Sequence, residues 1–107
     1  MATVVKINTY YAQLYAKFLA KLQAAKEGDG SLLDHSLLVY GGGMGDSNVH
    51  ASDPLPLVFA GAVGQGHRHV QVAARTPVGN LWSTVAGRFG TTIEHYGDGT
   101  GTVDGVF

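Results

Sequence analysis

The sequence predicts an α/β fold class in which two short strands, buried on both faces, are flanked by two amphipathic helices. Apolar residues recur at steps of three and four through residues 11–22 and again through 78–89, the spacing of one helix face. Two further runs, Leu37-Leu38-Val39-Tyr40 and Leu57-Val58-Phe59-Ala60, are apolar without alternation, as in strands covered from both sides. A hydrophobic fraction of 45% with 14% charged residues belongs to a chain that packs. With 107 residues there is room for one domain or part of one, and not for two.

The first helix is predicted over residues 10–26, with Tyr11, Leu14, Tyr15, Phe18, Leu19 and Leu22 on its apolar face. Asn8 or Thr9 offers a side-chain oxygen as cap, Lys21 and Lys26 suit the negative pole of the dipole, and Gly28 stops the helix. Glu27 to Ser31 then reads as a polar, glycine-rich turn. The strand over residues 36–40 ends in Gly41-Gly42-Gly43, and the strand over 57–60 is closed by Gly61. Strands of this kind are expected in the middle of a parallel sheet, which needs helices on both faces and a crossover between neighbours.

After the glycines of 61–66, the alternating His69-Val70-Gln71-Val72 is expected as an edge strand. Thr76 is placed to cap the second helix and Pro77 to occupy its first position, where a missing N–H costs nothing. Val78, Leu81, Trp82, Val85, Ala86 and Phe89 form its stripe, and Gly90 is its stop. Residues 96–101 read as a surface loop, and no internal repeat is present. Two helices are too few to cover a parallel sheet, so residues 1–107 read as a partial domain, the C-terminal portion of a larger α/β domain. The rival explanation is a homo-oligomer that covers the open faces and edges.

Seven Lys and Arg against eight Asp and Glu give a net charge of −1, which provides no broad electrostatic footprint for nucleic acid or an acidic membrane. With no cysteine, disulfides, thiolate metal sites and cysteine nucleophiles are excluded together. The first residues lack the basic and apolar regions of a signal peptide, and no run is long enough for membrane insertion.

Residues 41–53 follow a buried strand, where α/β folds place their sites. A dinucleotide loop is excluded because Asp46 stands at the third glycine position, and a phosphate-binding loop because no Gly-Lys-Ser or Gly-Lys-Thr occurs. Asp46, His50 and Asp53 combine carboxylates with an imidazole, a common ligand set for a divalent metal ion such as zinc. The competing reading, favoured about two to one by spacing alone, is that Asp46, Asn48 and Asp53 turn and cap the loop backbone, with His50 as a further hydrogen bonder. His67, Arg68, His69 and Arg75 form a small basic group able to hold an anion, although a solvated loop is the preferred account. His35 and His95 stand alone, and Ser36, Ser47, Ser52 and Ser83 lack the context of a nucleophile elbow.

The order Gly28-Asp29-Gly30-Ser31-Leu32-Leu33-Asp34-His35-Ser36-Leu37-Leu38-Val39-Tyr40-Gly41-Gly42-Gly43-Met44-Gly45-Asp46, then Asn48, His50 and residues 55–61, resembles the tail of the family called domain of unknown function fifteen fifty-two. The resemblance continues through Arg68-His69, Thr76-Pro77, Asn80-Leu81 and Tyr96-Gly97-Asp98 and covers nearly the whole chain. Members are longer, typically carry a twin-arginine export signal, and belong by similarity to the alkaline phosphatase-like superfamily. The resemblance therefore implies a doubly wound sheet of which this chain is the last part, and a periplasmic or cell-envelope location.

In phosphatase and sulfatase relatives the strand matching residues 37–40 leads to an acid-histidine metal pair. Gly43 and Met44 stand at those positions here, and neither is a usual ligand of such an ion. His50 fits the place of a later histidine ligand, Asp46 and Asp53 have no counterpart, and the superfamily's nucleophile would lie upstream of Met1. The expected function is that of an uncharacterised exported protein fragment without catalysis of its own. One alternative is part of a metal-dependent phosphate or sulfate ester hydrolase, and another a small self-associating binding module. The expected partner is the missing N-terminal portion of the same protein or a second copy.

Overall fold

The computed structural model describes residues 2–107, which fall into two units. The first comprises the residues up to Gly43 together with Leu55–Val63, and the second Met44–Pro54 with Gly64–Phe107. The elements in chain order are α1 (Ala2–Ala24), β1 (Lys26–Glu27), β2 (Gly30–Ser31), β3 (Leu37–Gly41), β4 (Leu57–Gly61) and α2 (Val78–Arg88). The coarse expectation of a mixed α/β fold with two helices holds, and several finer ones are corrected.

In the first unit α1 begins well before residue 10, because Val4 and Ile7 extend the apolar spacing backwards. Asn8 and Thr9 therefore lie inside the helix instead of capping it. The Thr9 hydroxyl donates to the Val5 carbonyl at 2.8 Å, one turn back, which satisfies it without breaking the helix. The far end closes two residues before Lys26, where the predicted turn is itself a small antiparallel hairpin, Lys26 opposite Ser31 and Glu27 opposite Gly30. Gly28 makes the reversal with a φ of 60°, a left-handed conformation that glycine adopts without steric cost. Just past the hairpin, the Leu32 N–H donates to the Ala25 carbonyl at 2.8 Å and the Leu33 N–H to the Leu22 carbonyl at 3.2 Å. These bonds satisfy carbonyls that a helix end leaves without partners.

β3 and β4 pair antiparallel, with Leu37 opposite Gly61 and Gly41 opposite Leu57. This corrects the expected parallel neighbours of a doubly wound sheet: residues 42–56 contain no helix to carry a parallel crossover, so the strand returns beside its predecessor. The lack of alternation was nevertheless informative. Leu38, Tyr40, Val58 and Ala60 share one face, and Leu37, Val39, Leu57 and Phe59 the other, so both faces are apolar. On the first face Tyr15 of α1 stacks on Tyr40, ring centroids 5.1 Å apart, and its hydroxyl donates to the Leu38 carbonyl at 3.1 Å. Gly61, at φ 98°, ends β4 where a Cβ would stand 2.1 Å from the Ser36 carbonyl oxygen, so no other residue fits this close approach.

In the second unit α2 starts one residue later than expected. Thr76 does not cap it, since its hydroxyl donates to the Ala73 carbonyl at 2.7 Å, and extended Pro77 precedes the first helical residue. Gly90, at φ 81°, ends the helix as expected, with the Thr91 N–H bonded to the Ala86 carbonyl at 2.9 Å. The most buried face is not the apolar stripe but Gly79, Asn80 and Ser83, while Val78 and Phe89 remain exposed. The cause is the tail, which lays residues 96–103 against that polar side. Residues 69–72 form no strand. Val70 and Val72 are exposed, and no described strand lies beside them to complete a ladder.

Among the described residues no hydrophobic side chain reaches full burial. Each described sheet has two strands, so both strands of each sheet keep an edge that no other described strand pairs with.

Candidate functional site

Residues 44–54, which carry the three candidate metal ligands, form a closed loop. The Gly45 and Asp46 N–H groups both donate to the Ala51 carbonyl, at 2.9 and 3.1 Å, and the Ala51 N–H returns to the Asp46 carbonyl at 2.9 Å. A Cβ on Gly45 would lie 1.8 Å from the Pro54 carbonyl oxygen, so the loop folds back on itself only because this residue has no side chain.

Within the loop, the Asp46 carboxylate accepts the Asn48 N–H at 2.9 Å, an Asx turn that uses the side chain to shape the backbone. His50 takes a left-handed φ of 55°. Asp46, His50 and Asp53 are all exposed, and no three His, Asp or Glu side chains among the described residues form a ligand group. The loop's geometry thus accounts for Asp46 as a turn former.

The basic group is partly engaged in holding the tail. Arg68 donates from Nε to the Gln65 carbonyl at 2.9 Å, from Nη1 to Gly105 at 3.1 Å and from Nη2 to Val106 at 2.9 Å. The planar fork suits two successive carbonyls, as it would a carboxylate. His67, His69 and Arg75 stay exposed. Of the lone histidines, His35 meets the Glu27 carboxylate at 2.9 Å across the hairpin, and His95 donates from Nδ1 to the Gly99 carbonyl at 3.0 Å. Ser36 donates its hydroxyl to the Leu32 carbonyl at 2.7 Å.

Two titrating groups are displaced. Asp34 accepts both the N–H and the hydroxyl of Ser31, at 2.7 and 2.9 Å, and the backbone donor first, then the hydroxyl, holds its carboxyl below the usual range. Burial pushes the Tyr15 phenol up.

A buried polar arrangement lies where the sequence marked no site. Asn80, 6% exposed, accepts the Thr100 N–H on Oδ1 at 2.7 Å and donates from Nδ2 to the Thr100 hydroxyl at 3.2 Å. One turn along α2, the Thr84 hydroxyl donates to the Asn80 carbonyl at 2.8 Å and accepts the Val103 N–H at 2.8 Å. Gly79 makes room for this, since a Cβ there would stand 2.1 Å from the Tyr96 carbonyl oxygen. Ser83, 4% exposed, has a hydroxyl with no hydrogen-bond partner. Asn80 and Thr84 at i and i+4 share one helix face, a spacing that signals a polar stripe but not what binds it. Three of these bonds join α2 to the chain's own tail and the fourth lies within the helix, so the arrangement fastens structure.

Comparison of the chain with protein-family models, curated proteins and solved structures finds no match. The functional reading therefore rests on the residues themselves.

Proposed function

We propose that this chain is a non-catalytic component of a larger exported α/β assembly, presenting apolar helix and sheet surface that further protein covers. The observation that carries the reading is the absence of a buried apolar residue among those described, while Tyr11 and Phe18 on α1 are each 53% exposed and Val58 on β4 is 51% exposed. Removing apolar surface from water stabilises a protein by about 25 cal/mol per Å². Monomers rarely leave contiguous apolar patches beyond a few hundred Å² open.

An alkaline phosphatase-like setting in the cell envelope is part of the same proposal, supported by the order of motifs through residues 28–61. Gly43 and Met44, where that superfamily places a metal pair, support a body without turnover. The covering protein is either further chain of the same protein or a second copy.

Sedimentation and hydrogen exchange on the same purified sample test the surface reading. Association, or a monomer whose β3 and β4 amides exchange quickly, is expected; a monomer of 11.2 kDa with slowly exchanging β3 and β4 amides would refute it. Catalysis is tested with phosphate and sulfate esters in zinc, manganese or calcium. No turnover is expected, and turnover abolished by His50→Ala would establish the metal-dependent hydrolase instead.

A further inference from the structure

We propose that Arg68 anchors a binding site for a small oxyanion, phosphate or carboxylate, which the chain's own residues 105–107 close as a strap. The site lies within the second unit, so it does not depend on what covers α1 and the β3–β4 sheet.

Two arginines converge on the strap. Arg68 donates from Nη1 to the Gly105 carbonyl at 3.1 Å and from Nη2 to the Val106 carbonyl at 2.9 Å, while the Arg88 guanidinium stands 5.7 Å from the centroid of the Phe107 ring. The same two side chains also reach successive residues of the loop after β4. Arg68 donates from Nε to the Gln65 carbonyl at 2.9 Å, and a Cβ on Gly64 would lie 3.7 Å from Nη2 of Arg88. Both guanidinium groups therefore border the same two segments, residues 64–65 and residues 105–107.

The strap leaves the charge of Arg68 unanswered. Residues 54–93 contain Arg68, Arg75, Arg88, His67 and His69 and no Asp or Glu, although the whole chain is at −1. All three acceptors of Arg68 are neutral carbonyls, and among the described residues no carboxylate side chain pairs with it, that of neighbouring Asp104 included. A hydrogen bond to an ionised acceptor is roughly twice as strong as one between neutral groups. The guanidinium fork offers two parallel N–H groups to the two oxygens of one anion, the same pair that it now gives to two successive carbonyls. An oxyanion can thus replace the strap bond for bond and add an ion pair. Without an anion the strap holds because it is tethered to the site and because Val106 and Phe107 are half-buried there. Since the ligand binds only the open state, the strap lowers its affinity by the fraction of chains that are open.

The test uses inorganic phosphate, with acetate as the carboxylate and chloride as the control at matched ionic strength. It is read by NMR, from the relaxation of residues 105–107 and the resonance of the Arg68 Nε–H. Phosphate is expected to move the Arg68 resonance saturably and to raise the open fraction of the strap about fivefold, the equivalent of about one net hydrogen bond, while chloride does neither. Arg68→Gln should open the strap without phosphate and abolish the response, with circular dichroism unchanged because Arg68 is exposed. Arg75→Gln, which removes an equal charge from an exposed position nearby in sequence, should keep the response. A response to acetate in place of phosphate supports the site with a carboxylate as its ligand. Phosphate acting no more strongly than chloride, or a response lost equally in Arg75→Gln, overturns the oxyanion site. An Arg68→Gln chain whose residues 105–107 stay ordered overturns the strap.

Discussion

Replacing Asn80 by alanine removes two hydrogen bonds from α2 to the tail while leaving the helix backbone unchanged. The amide accepts the Thr100 N–H at 2.7 Å and donates to the Thr100 hydroxyl at 3.2 Å, from a side chain only 6% exposed. A typical intramolecular hydrogen bond contributes about 1 kcal/mol net, so the pair contributes about 2 kcal/mol. At 1.36 kcal/mol per tenfold, that is about 30-fold in the opening equilibrium of the tail. Hydrogen exchange resolves it residue by residue: the Thr100 amide is expected to exchange about 30-fold faster in Asn80→Ala. Val103, held by the Thr84 hydroxyl at 2.8 Å, should change far less because the Asn80 carbonyl survives the substitution. Asn80→Asp keeps the acceptor and loses the donor, so about half the free energy should go, close to 5-fold in exchange. Thr100 exchange within twofold of the parent in Asn80→Ala, with helicity preserved, would show that the amide does not hold the tail.

Gly79→Ala should destabilise the same region, because the added methyl stands 2.1 Å from the Tyr96 carbonyl oxygen and must displace backbone. Overpacking of this kind costs about 1–3 kcal/mol against about 1 kcal/mol gained in helix propensity, so a lower urea midpoint and faster proteolysis of residues 96–103 are expected, and an unchanged midpoint would contradict the tail's placement. For Asp34 the folded carboxyl is held below its ordinary value, so its contribution is present above the ordinary range and is lost as pH falls through the lowered folded value. The Ser31 amide proton resonance should report that loss below the usual carboxylate range and not within or above it. Asp34→Asn should abolish the transition.

Both helices and both apolar strands were legible because each is specified by local periodicity, and Gly28, Gly61 and Gly90 were legible as punctuation. Strand direction was not, because an apolar run shows that both faces are apolar, not that both are covered, and says nothing of which way its neighbour runs. The cap predictions failed at Thr9 and Thr76 for one reason: a hydroxyl that can cap a helix can equally bond a carbonyl three or four residues back, and did so at 2.8 and 2.7 Å. At the candidate site, Asp46 suited both a ligand and a turn former in sequence, and its bond to the Asn48 N–H displays the second. The Asn80 arrangement was out of reach because Thr100 lies twenty residues away and nothing local marks it as a partner.

The sequence by itself determined the helical and extended segments, the apolar character of both sheet faces, and the absence of cysteine chemistry, since these depend on residue type and short-range spacing. Only the tertiary structure decided that β3 and β4 run antiparallel, that the polar side of α2 is the buried one, and that Tyr11 and Phe18 of α1 stay exposed. Those outcomes depend on which distant segment packs on a surface and satisfies its backbone and polar groups, which no single stretch of chain encodes.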